Sequence, residues 1–92
     1  MAVDLQQSAE HIEDHRHPIE VIVNRHEVTF RVHEATGREI KETAIHQGVD
    51  IQLDFSLFRQ AAHHKLVPIL DDERIALHRD EDFRAVAPDD NS

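Results

Sequence analysis

His11, His15 and His17 lie within seven residues of one another, and His63 and His64 are adjacent. On a helix, His11 and His15 would share a face, the spacing at which two imidazoles can hold one metal ion. The stretch around them offers no fixed carboxylate to orient the rings. Nine histidines in 92 residues also make such groupings expected by chance. A solvated arm is therefore the reading for His11–His17, and a polar loop tip for His63-His64; no metal site is expected. The chain has no cysteine, which excludes thiolate zinc sites, cysteine nucleophiles and disulfides. Carboxylates are plentiful, but none falls in a spacing that implies a cleft, and neither a glycine-rich phosphate loop nor a nucleophile elbow occurs. No catalytic residue, no cofactor and no enzymatic activity are expected.

The charge balance narrows the choice of partners. Ten Lys and Arg against nineteen Asp and Glu give a formal charge of −9. A nucleic-acid backbone would be repelled, and no basic cluster offers a local exception. Protonating all nine histidines would bring −9 to 0, so solubility is expected to fall in mild acid. The opening MAVDLQQSAEHIEDHRHP lacks the apolar core of a signal peptide, and no apolar run approaches a membrane span. A cytoplasmic protein that meets other proteins is the default expectation.

Ninety-two residues suffice for one small domain. Residues 1–18 are expected to form a mobile polar arm. In IEVIV, Ile19, Val21 and Val23 share one face of a strand, and in EVTFRV, Val28, Phe30 and Val32 share another. Asn24-Arg25-His26 between them predicts a β-hairpin, because Asn tolerates left-handed backbone. Thr36 followed by Glu39 matches a capping box, and Gly48 suits the left-handed residue that ends a helix. The spacing predicts a helix of about three turns, with Ile40, Ala44 and Ile45 as its apolar stripe. Leu53, Phe55 and Leu57 then alternate in a further strand, and LVPIL forms a short strand that Pro68 confines to an edge. DDERIALHRDED is irregular, anchored by Ile75 and Leu77, and EDFRAVA is the last strand. The predicted fold class is α+β: β-β-α-β-β-β, one helix packed on a mixed sheet.

These residues resemble the bacterial multiubiquitin family of ubiquitin-like β-grasp proteins. IEVIVNRHEVTF, TGREIKETA, DFSLFR, LVPIL and LHRDEDFRAVAP carry the likeness, in order, over about three quarters of the chain. The resemblance implies a β-grasp domain over 19–87 and a protein modifier. It implies that an activating-like enzyme adenylates the terminal carboxylate, that a conjugating-like enzyme passes it on, and that a metalloprotease trims the precursor. Members commonly carry several copies and a terminal Gly-Gly. This chain has a single copy, and its two glycines, Gly37 and Gly48, both flank the helix. Use of the C-terminal region would then fall to Ala87, Pro88 and Ser92, with 88–92 as a short acidic tail. The alternative is a β-grasp module that binds partners or self-associates without conjugation.

Strand parity adds a candidate partner-binding surface. If Phe55, Leu57, Phe83 and Ala85 point towards the helix, then Phe58, Val86 and Ile22 face the other way. Exposed apolar side chains grouped on one face usually mark contact surfaces, although single ones are common. Ile22, Phe58 and Val86 are therefore the residues expected to meet a partner.

Overall fold

The structure, a computed structural model, describes residues 17–88. Strands β1 (Ile19–Val23) and β2 (His26–Phe30) form the predicted hairpin, with Val23 opposite His26. The loop is thus Asn24-Arg25 alone, and both residues have positive φ, 50° and 72°. That is the requirement of the tight turn whose twist matches a right-handed strand pair. β2 stops at Phe30, so Val32 is not on the inner face as the alternation suggests; it is half exposed after a bend.

The short strand β3 (Glu34–Thr36) follows, and helix α1 spans Gly37–His46. Its ends are closed as the residue types require. Thr36 Oγ1 accepts from Glu39 N–H at 3.1 Å, and Glu39 Oε1 accepts from Thr36 N–H at 2.9 Å, a complete capping box. The first two helical N–H groups donate to loop carbonyls instead: Gly37 to Glu73 O and Arg38 to Asp71 O, both 3.1 Å. At the other end Gly48 takes φ 98°, Gly48 N–H donates to Ile45 O, and Val49 N–H donates to Ala44 O. Those paired bonds are the Schellman closure, and the buried Val49 completes its apolar contact.

Beyond the helix come β4 (Ser56–Gln60), a short 3₁₀ turn at 62–64, β5 (Leu66–Ile69), β6 (Arg74–Ala76) and β7 (Asp82–Val86). The main sheet has the order β2-β1-β7-β4-β5. β1 and β7 lie parallel, and the other neighbours are antiparallel. Pro68 sits on the edge strand, where its missing N–H interrupts no inner ladder. Among the described residues the fold is therefore α+β, with a mixed five-stranded sheet and one α-helix.

Two features depart from the predicted element order. β3 and β6 pair as a small second sheet, Ala35 opposite Ile75. Three-residue strands are too short for alternation to be read, and charges in DDERIALHRDED hide it further. Ile75 and Leu77 nevertheless anchor the segment, half-buried and buried respectively. Leu53 lies outside β4 and is partly exposed, because the chain turns before Ser56.

One core unites these elements. Val21, Val23, Val28 and Phe83 from the sheet are fully buried with Ile40 and Ala44 from the helix. Each such side chain contributes about 1.5–3 kcal/mol of hydrophobic stabilisation if fully buried. Inward residues alternate with outward ones along every main strand, so among the described residues α1 covers one sheet face and no element covers the other. No helix among the described residues is long and apolar enough to cross a membrane.

Candidate functional site

The open sheet face carries the three residues singled out by parity. Ile22, Phe58 and Val86 are each half-buried, between neighbours of opposite direction along their strands. Val21, Val23, Leu57 and Ala85, which flank them, are buried in the core. Register decides which of the three meet. Phe58 lies opposite Arg84, and Val86 lies opposite Ser56, so Phe58 and Val86 are diagonal neighbours on adjacent strands. Such pairs stand ~7–8 Å apart, within reach of an aromatic ring. Ile22 is paired with Asp82 on β7 and Glu27 on β2. From strand spacing and rise it lies roughly 12 Å from Phe58 and roughly 14 Å from Val86. The face thus divides into an apolar part on β7, β4 and β5, and an acidic part around Ile22.

The apolar part extends beyond the predicted residues. Pro68 lies opposite Phe58, and Leu66, opposite Gln60, shares its parity and is exposed. Arg84 is the exposed cation between Phe58 and the acidic part. Such a face can hold a protein surface by apolar contact at one end and by charge at the other.

A buried cation organises the margin of this region. Lys41 projects from the inner side of α1 and is only 2% exposed. Its Nζ donates to Leu53 O at 2.6 Å and Phe55 O at 2.7 Å, and it contacts Asp71 Oδ1 at 2.7 Å. Two of the ammonium's three donors are thus used on backbone carbonyls, and its charge is paired with Asp71. Lys41 therefore ties the loop before β4 and the loop after β5 to the helix. Sequence reasoning missed it and chose Ile45, which is exposed. The buried positions are Gly37, Ile40, Lys41 and Ala44, the spacing of an apolar helical stripe, so Lys41 was marked by its position rather than its type.

Two side-chain amides finish the sheet. Asn24 Nδ2 donates to Ala85 O at 3.1 Å, and Ala85 N–H donates to Asn24 Oδ1 at 2.8 Å. Gln47 makes the same pair of bonds with Thr29 on the outer edge of β2, at 2.9 and 2.7 Å. Each amide imitates one strand residue.

His63 and His64 are exposed at the tip between β4 and β5, both with positive φ, and His64 Nδ1 lies 2.9 Å from Gln60 Nε2. His17 is exposed, whereas His11 and His15 lie outside the described residues. Among the described residues no cluster of three or more His, Cys, Asp or Glu is arranged to hold a metal ion. Ala87 is half-buried and Pro88 exposed where the chain leaves β7; Ser92 lies outside the described residues. Comparison with known proteins gives no family model, no curated protein and no solved structure that matches this chain.

Proposed function

We propose that this protein is a ubiquitin-like β-grasp modifier of a bacterial conjugation system, cytoplasmic and used through its C-terminal region. The observation that carries the reading is the sheet. Parallel β1 and β7 stand together inside it, β2 and β5 form its edges, and α1 covers one face. This is the arrangement expected of a β-grasp domain, and it is built from the segments that resemble the multiubiquitin family. Fold alone does not define activity, so the reading also rests on the open face and on the chain leaving the sheet directly after Val86.

In such a system an activating-like enzyme joins the terminal carboxylate to AMP from ATP, releasing pyrophosphate. An enzyme cysteine displaces AMP to give a thioester, and a target amine then displaces the thiol. The open face, with Phe58 and Val86 side by side, is the surface that would meet these enzymes. A processing metalloprotease that trimmed the chain at Ala87 would leave a small terminal residue able to enter a narrow adenylation channel.

A second reading is an interaction or self-association module that is never conjugated. It is favoured by the glycines, which stand only at 37 and 48, where each serves the helix. Co-expression with activating-like, conjugating-like and metalloprotease partners separates the two. Covalent adducts support the modifier; reversible complexes without adducts, lost on Val86→Glu, support the module.

A further inference from the structure

Beside the β4–β5 hairpin lies a groove of about 410 Å³, bounded by the loop before β4 and the end of β5. Its walls are Leu53, Phe55, Phe58, Pro68 and Leu70. Leu53 and Leu70 remain 38% and 66% exposed, so apolar surface is available to a visitor. Neither Ile22 nor Val86 lines the groove.

The exposed charges that line the groove are carboxylates, that of Asp71 being paired with the buried Lys41. Asp54 and Asp71 line the groove, and Asp72 and Glu73 follow in the next turn, all exposed. Lys41 is the lining cation, but it is enclosed, bonded to two carbonyls and paired with Asp71. A visiting group therefore meets apolar walls and carboxylates.

Backbone pairing is hindered at both edges of the sheet. Pro68 gives β5 a residue without an N–H, and on β2 the Gln47 amide already occupies Thr29 N–H and C=O. A partner that added a strand would find its ladder interrupted on either side. Docking must then rely on side chains, as when a helix lies in a groove.

We propose that this groove binds an amphipathic helical segment of a partner protein. An apolar side chain of the segment seats among Leu53, Phe58 and Leu70, and flanking Lys or Arg residues meet Asp54 and the exposed carboxylates that follow Leu70. A second copy of this chain is a poor occupant, because its formal charge of −9 repels the same rim. The groove would work whether or not the C-terminal carboxylate reacts, so it goes beyond the modifier reading.

The test uses the full chain, ¹⁵N-labelled, and a synthetic helical peptide of about 14 residues, roughly four turns, with leucines on one face and lysines on the other. A twin peptide carries glutamate in place of lysine. Amide shift changes should centre on residues 53–58 and 66–71. Leu70→Asp should weaken the lysine peptide about tenfold or more, whereas Ile22→Glu and Val86→Glu leave its affinity unchanged. The glutamate twin should bind about tenfold more weakly or not at all. Leu53→Asp repeats the test if circular dichroism shows Leu70→Asp to be misfolded. Shift changes spread over the whole acidic surface would overturn the proposal. So would equal binding of the two peptides, or a dimer in sedimentation that Leu70→Asp dissociates.

Discussion

The side chain of Asn24 and the backbone of Ala85, 61 residues apart in sequence, exchange two hydrogen bonds. Asn24 N–H also donates to Phe83 O, at 3.0 Å. β1 turns away at Asn24, and the carboxamide continues its pairing with β7 for one more residue. Asn24 thus has two tasks: its backbone makes the left-handed turn, and its side chain locks the first hairpin to the last strand.

Asn24→Ala should destabilise the domain by about 1–3 kcal/mol, because a half-buried donor and acceptor on Ala85 lose their partners. Asn24→Asp keeps an acceptor for Ala85 N–H but removes the donor to Ala85 O, so it too should destabilise. Chemical denaturation of the variants against the parent measures both effects.

Lys41→Met should cost roughly 2–4 kcal/mol, since the carbonyls of Leu53 and Phe55 are left without their donor. Asp71 is 60% exposed, and its loss is compensated by water. Asp71→Asn is therefore expected to change stability by less than about 1 kcal/mol. Equal effects in the two variants would mean that the ion pair, not the carbonyl cage, is what Lys41 supplies.

Gly37 is the first residue of α1, and a Cβ there would overlap the backbone carbonyl of Leu70. Alanine is the better helix former by about 1 kcal/mol, so propensity alone would favour Gly37→Ala. Steric overlap with backbone should win. We expect a net loss of roughly 1–3 kcal/mol, read as a lower denaturation midpoint.

Arg25→Gly should act in the opposite direction. Arg25 is exposed with φ 72°, in the second position of a turn that favours Asn-Gly. Relief of the left-handed strain, ~1–2 kcal/mol, exceeds the entropy lost with glycine, ~0.5–1 kcal/mol. A gain of about 0.5–1 kcal/mol in unfolding free energy is expected, by difference of those terms.

Long alternating runs and helix punctuation were legible in the sequence because each relies on local chemistry. Thr36, Glu39 and Gly48 specify the ends of α1 wherever the helix packs, and Asn24 specifies a turn whatever follows. What could not be read locally depended on distant partners. Lys41 is buried because two loop carbonyls happen to face it, and β3 pairs with β6 across nearly forty residues of sequence. For the candidate surface, parity alone groups Ile22, Phe58 and Val86 on one face. Only the register showed that Phe58 and Val86 are neighbours while Ile22 stands apart among carboxylates.

The most direct test of the modifier reading is mass spectrometry of the protein co-expressed with the activating-like enzyme, conjugating-like enzyme and metalloprotease proposed to act on it. Fragment spectra should show the carboxyl end of this chain, trimmed at or near Ala87, joined to a target amine. These spectra should be lost when the active cysteine of the activating-like enzyme is replaced. A chain recovered wholly intact to Ser92, with no covalent adduct while those enzymes are active, would contradict the modifier reading.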